Sequence, residues 1–183
     1  MNREFQHLAK RGAFATAVVA TFFAPRKTLD ISVAGHPNPL YYRAESQKWV
    51  CLNPAETEAN FENMPLGIVK ETTYPRRKVK TEFGDMFLLY SDAFIESAVD
   101  GKDNSQLGIE GVLELLNGNP CVAPAEVIPF LRGRIGKMAT GNLLNDDASL
   151  ILGHFTETKV SMRDNLMAPI RLFRNASDRT HFS

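Results

Sequence analysis

Between Phe14 and Tyr90 the apolar residues come in short runs, and each run meets a turn signal before it reaches helical length. Runs of about 4–8 residues bounded by Gly, Pro, Asn or Asp read as strands, since helices need roughly 10–12. Phe14 to Phe22 is nearly unbroken, which suits a strand covered on both faces, and Pro25-Arg26-Lys27 ends it. Thr28 to Ala34 alternates, with Leu29, Ile31 and Val33 against Thr28, Asp30 and Ser32, so it reads as a half-buried strand in a hairpin with the first. Gly35-His36-Pro37-Asn38-Pro39 breaks the pattern before Leu40-Tyr41-Tyr42, and Lys48 to Leu52 can pair with that short strand. Residues 53–64 are polar and read as an exposed loop, and Pro65-Leu66-Gly67 is a compact turn. Thr73 to Glu82, basic and mostly polar, fits an outer or edge strand. Phe83-Gly84-Asp85 then turns the chain into Met86-Phe87-Leu88-Leu89-Tyr90, the clearest buried strand.

After Ser91-Asp92 the periodicity becomes helical. Leu107, Val112, Leu115 and Leu116 share a face over 107–116, and Pro124 opens a second helix to about Ala139. Pro129 inside it predicts a kink or a late start. Asn145-Asp146-Asp147 precedes a last strand over Ala148 to Phe155, and residues 1–12 resemble the end of a helix. Strands, then helices, then a strand give an α+β class. The 183 residues suit one domain, here 1–155, followed by a polar, loosely packed tail over 156–183.

Composition removes several functions. With Lys+Arg and Asp+Glu equal at 21 each, the chain lacks the basic surplus of a nucleic-acid binder. Its hydrophobic fraction of 44% is too high for disorder. No apolar run approaches the ~20 residues of a membrane span, and the first residues have no signal-peptide layout, so the expected compartment is the cytoplasm. Cys51 and Cys121 have neither metal-ligand spacing nor the number for a disulfide framework.

The chemistry-bearing candidates are few. There is no Gly-x-Ser-x-Gly elbow and no glycine-rich phosphate loop. His7 and His181 lie near the termini, and His154 sits in a strand where it can face solvent. Asp92 just follows one buried strand and Asp146 just precedes another. In antiparallel neighbours the end of one strand lies beside the start of the next, so the two carboxylates can meet and hold a hard cation such as Mg²⁺ or Mn²⁺. Equally, both can be turn aspartates that bond their own backbone. Arg76-Arg77-Lys78-Val79-Lys80 reads as a solvated outer strand or as a guide for an acidic partner.

In order and spacing, four segments resemble one family. They are Ala34-Gly35-His36-Pro37-Asn38-Pro39-Leu40, Pro65-Leu66-Gly67, Gly84-Asp85-Met86 through Ser91-Asp92 with Glu96, and Asp146-Asp147-Ala148-Ser149-Leu150. Together, over roughly residues 10–155, they look like the metal-dependent (PPM, type 2C) serine/threonine phosphatases of the bacterial stage II sporulation protein E branch. The resemblance implies a β-sandwich flanked by helices in α-β-β-α layers, of which this chain would be an incomplete C-terminal portion. It implies two Mn²⁺ or Mg²⁺ ions in the complete domain, and a water activated by them that attacks phosphoserine or phosphothreonine. By the same likeness Asp92 and Asp146 are metal ligands within about 6 Å of each other, and Asp147 stands beside them without touching the metal. Gly35 and His36 form a structural corner.

The sequence departs from the family in two ways. The Asp-Gly-x-Gly-His segment that supplies the bridging aspartate has no counterpart before Phe14, and Ala93 replaces the glycine after the motif aspartate. At most one half-site is therefore expected, the catalytic groups are not assignable, and Ala93 should have φ < 0. The implied substrate is a phosphoprotein regulator such as an anti-sigma-factor antagonist, with an upstream sensor or receiver domain as input. The different-class alternative is a degenerate, non-catalytic domain that binds a regulatory phosphoprotein. If the opening segment of the domain is lost, the strand from Phe14 should present an apolar edge.

Overall fold

The computed structural model describes residues 2–8, 12–53, 63–98, 106–119, 123–138 and 147–157. Alternation is realised most cleanly in β2 (Thr28–Ala34), where Leu29, Ile31 and Val33 are buried and the residues between them are half-buried. On one side of β2 lies β1 (Ala17–Phe23), antiparallel with Ala17 opposite Ala34 and Phe23 opposite Thr28. On the other lies β5 (Arg77–Lys80), with Val79 opposite Leu29. The second sheet runs β4 (Lys48–Cys51), β3 (Leu40–Arg43), β6 (Met86–Tyr90) and β7 (Leu150–His154), all antiparallel, with Leu88 between Leu40 and Leu152.

The second sheet faces two cores because its strands send alternate side chains to opposite sides. Tyr41 and Phe87 point toward the first sheet, where Leu29, Ile31, Val33, Leu52, Val79 and Phe155 fill the space. Leu40, Met86, Leu88 and Tyr90 face the other way, onto Val112 and Leu116 of α2 (Gly108–Asn117) and Val127, Leu131 and Ile135 of α3 (Pro124–Met138). Burying each such side chain stabilises the fold by about 1.5–3 kcal/mol. Asn117, at the end of α2, closes the β4 edge: its side chain accepts from Trp49 N (2.8 Å) and donates to Trp49 O (3.1 Å). The expected α+β sandwich with helices is the observed fold. A short α1 (Asn2–Leu8) sits against the Pro65–Lys70 turn, where Asn2 donates to Val69 O and accepts from Gly67 N.

Three sequence expectations need revision. β1 is not covered on both faces: among the described residues it is an outer strand of its sheet, and its residues from Val19 to Phe23 are exposed. An apolar run therefore marked strand propensity here, not burial. The edge strand expected over Thr73 to Glu82 is real but spans only Arg77–Lys80, and Pro75, which has no N–H to give a ladder, lies before it. Finally, α3 does not start late. It begins at Pro124 and carries Pro129 inside, with Val127, Leu131 and Ile135 buried along one side. Of the expected tail, residues 158–183 lie outside the described residues.

The turn before β6 is held by a buried carboxylate. Asp85 is 3% exposed, and its carboxylate accepts from Tyr41 Oη (2.7 Å), Ala44 N (2.9 Å) and Glu82 N (2.9 Å). Its backbone O accepts from Phe155 N, and Gly84 N donates to Phe155 O. Gly84 has φ +88° and lies so close to Ala44 that a Cβ would stand 3.0 Å from the Ala44 methyl, so only glycine fits comfortably.

Asp85→Ala should strand these donors in the core and lower unfolding free energy by about 2–4 kcal/mol, whereas Tyr41→Phe should cost about 1. Urea titrations of both variants test this, and equal losses would show that the carboxylate is not the anchor. Burial, and for Tyr41 the bond to Asp85, pushes the Tyr41 and Tyr90 phenols well above their usual 10.0. Because the folded state holds these protons more tightly, their contribution is complete below about pH 10 and declines as pH rises beyond it. Stability measured in that alkaline range should fall less steeply for Tyr41→Phe with Tyr90→Phe than for the parent chain.

Candidate active site at one end of the sandwich

Tyr90 ends β6 with its ring in the core and its hydroxyl donating to Asn38 O at 2.8 Å. That bond lays the Gly35–Pro39 turn against the end of the strand. Gly35, at φ +60°, packs so tightly on Pro65 that an added Cβ would fall 2.4 Å from the Pro65 ring, so a side chain there is excluded. His36 is half-buried, with Nδ1 3.4 Å from Thr16 Oγ1. The same end thus gathers the Gly35 turn, the Pro65–Gly67 turn and the end of β6.

Ser91 joins the start of β7 to this assembly. Its Oγ donates to Asp147 O (3.1 Å) and accepts from Ser149 N (3.0 Å), while its own N donates to Ser149 O (3.0 Å). The ladder of β6 and β7 is in this way extended beyond Tyr90–Leu150 by a side chain. Nothing in the spacing singled out Ser91. Its signal was its place in the family-like segment ending Ser91-Asp92, and a hydroxyl before an acid is also common in turns.

Asp92 opens a short 3₁₀ turn, Asp92–Phe94, and is exposed. Its backbone O accepts from Ile95 N and Glu96 N, and its Oδ1 accepts from Ala93 N at 3.1 Å. Ala93 and Phe94 are buried, and Ser97 fixes the turn from below by donating to Ala93 O at 2.7 Å. Ala93 is not among the residues with positive φ, as expected, so this turn does not need the glycine it lacks.

Asp147 is exposed at the head of β7. Asp146, and with it the expected approach to Asp92, lies outside the described residues. The oxygen donors at this end fit a hard cation in kind. Among the described residues no three His, Cys, Asp or Glu side chains gather to hold an ion.

Residues 1–156 match the family described as stage II sporulation protein E (SpoIIE). The chain belongs to the SpoIIE family. No curated protein matches it. Among solved structures, it is similar to the SiaA-PP2C domain of Pseudomonas aeruginosa, with TM-score 0.64 and 15% identity over 84% of this chain and 56% of that one. The Mn-presoaked SpoIIE phosphatase domain of Bacillus subtilis gives TM-score 0.56 and 11% identity over 80% and 59%. The RsbU and RsbW domains of Rv1364c from Mycobacterium tuberculosis give 0.60 and 18% over 96% and 48%. This SpoIIE-family chain thus has the PP2C phosphatase fold and spans about half to three-fifths of the length of those structures. No helix among the described residues is long and apolar enough to cross a membrane.

Ser91→Ala should remove both side-chain bonds to the β7 approach. Amide exchange at Ser149 should accelerate at least about tenfold, with Leu88 and Leu152 unchanged, since one lost bond is worth roughly 1 kcal/mol or more. Unaltered exchange at Ser149 would mean that the main chain alone holds the two strand ends together.

Proposed function

We propose that this chain is part of a metal-dependent protein serine/threonine phosphatase domain, acting in the cytoplasm on a phosphorylated regulatory protein such as an anti-sigma-factor antagonist. The observation that carries the reading is the Ser91 staple, which sets exposed Asp92 beside the start of β7 in a chain of the SpoIIE family. In this reading Asp92 and Asp146 hold one Mn²⁺ or Mg²⁺, and Asp147 orients the segment without touching the ion. Gly35 and His36 are the structural corner behind them. Bound there, the ion lowers the pKa of a coordinated water so that it can attack a phosphate ester. The chain's own part is to fix the two strand ends and to leave Asp92 open to solvent.

A second reading is a non-catalytic domain of the same fold that binds a regulatory phosphoprotein. The 183-residue chain alone should accordingly show little or no turnover. Two carboxylates hold one hard cation weakly, and a bridged pair of ions needs a further shared ligand.

Hydrolysis of p-nitrophenyl phosphate and of a phosphoserine peptide in excess Mn²⁺ tests this. Weak Mn²⁺ binding by calorimetry, lost in Asp92→Asn, supports the half-site, and no binding in either chain favours the second reading. Robust turnover that Asp92→Asn abolishes would show a complete site and sink the expectation of a weakly active chain.

A further inference from the structure

Asp92 is tied to its own strand and to the start of β7 by different bonds. The turn that it opens is held from within, since Asp92 O accepts from Ile95 N and Glu96 N, and Ser97 Oγ donates to Ala93 O. Those bonds fix the acid relative to β6, and none of them reaches β7. The ladder of β6 and β7 runs to the pair Tyr90–Leu150. One residue further on, Ser91 spans the two strand ends with three bonds, one from its amide to Ser149 O and two at its hydroxyl. The hydroxyl donates to Asp147 O and accepts from Ser149 N at once, a double role that an alkyl side chain cannot fill. Ser91 precedes Asp92 and Asp147 follows Asp146, so this one group connects the immediate neighbours of both acids.

We infer that Ser91 is a positioning residue for the cation, whose hydroxyl holds the Asp92 and Asp146 segments ready before the ion arrives and so sets the ion's affinity. The inference rests on the proposed assignment of those two acids, and it adds the residue on which their joint use depends. Acids that serve one ion repel each other until it binds, and these two segments carry three of them, Asp92, Asp146 and Asp147. A segment left to swing away under that repulsion would have to be ordered by the ion itself, and affinity would fall by the fraction of chains not already in place. A connection made during folding removes that cost. The coupling runs both ways, because a connection that favours the bound ion is itself favoured by the ion. Ser91 is half-buried in extended backbone, with φ −70° and ψ 161°, a conformation that suits a β-branched residue. Threonine can therefore replace it with the hydroxyl retained.

Calorimetric titration of the full 183-residue chain with Mn²⁺ tests this without reference to turnover. Ser91→Ala should raise the Mn²⁺ dissociation constant about five- to tenfold, the equivalent of a single hydrogen bond. Ser91→Thr should keep the parent value, whereas Ser91→Val, close to threonine in shape but without the hydroxyl, should not. If Ser91→Ala fails to fold, the comparison of Ser91→Thr with Ser91→Val decides the matter. Asn117→Ala also loses two side-chain bonds, at the β4 edge, and should leave Mn²⁺ affinity unchanged while destabilising the fold. Saturating Mn²⁺ should slow amide exchange in the peptide containing Ser149, and should not do so in Asp92→Asn. Equal affinity in Ser91→Thr and Ser91→Val overturns the inference and leaves the phosphatase reading standing. So does an equal loss in Asn117→Ala, or exchange at Ser149 that is indifferent to the ion. A parent chain that binds no Mn²⁺ overturns the assignment of Asp92 and Asp146, and this inference with it.

Discussion

A carboxylate taken out of water must have its oxygens satisfied by the protein, and Asp85 meets that demand by drawing several segments to one point. Tyr41 reaches it from β3, Ala44 from the turn after β3, and Glu82 from the residues just before. Phe155 clips on at the end of β7 through main-chain bonds to Gly84 and Asp85. Strand β6 is thereby fixed in register with both neighbours at its first residue. Since β6 runs from this anchor to Tyr90, the position of Asp92 at its far end is set by the length of the strand and not by local contacts alone.

The fixed strand also divides the molecule. Met86, Leu88 and Tyr90 commit one face to the helices, while Phe87 commits the other to the inter-sheet core. Gly153 opposite Phe87 belongs to the same arrangement. A Cβ there would lie 2.1 Å from the Phe87 ring, so the glycine leaves space for the aromatic to lie across β7 toward Phe155. The helix-covered core is closed at the β4 edge by Asn117. Among the described residues the outer strands of the three-stranded sheet are β5, which carries Arg77, Lys78 and Lys80, and β1, which is exposed from Val19 to Phe23.

How much of this was legible depended on whether the signal was local. β2 and β6 were readable because a residue's burial there follows its parity, and a period of two survives in the sequence. β1 was misread because an unbroken apolar run fits a doubly covered strand and an uncovered edge equally well, and only the neighbours distinguish them. The helix containing Pro129 was readable in extent. Whether Pro129 would delay its start was not, because one missing hydrogen bond is outweighed by the burial of Val127, Leu131 and Ile135, which is a tertiary effect. At the candidate site Asp92 was singled out by its place after a buried strand. Ser91 and Asp85, which do the positioning, stood in the family-like segment but received no role, since a serine or aspartate in a turn carries no mark of the long-range partner it will find.

The placement of the candidate site follows from these constraints in sequence. Asp85 fixes the near end of β6, Tyr90 joins its far end to the Asn38 carbonyl, and Ser91 draws in the residues ahead of β7. Each step uses a hydrogen bond made by the chain's own groups. Asp92, by contrast, has only its neighbour's amide on Oδ1 among the bonds described, and it faces solvent. A scaffold that is complete without the ion and an acid that is not consumed by the scaffold are the conditions under which a carboxylate remains available for a ligand.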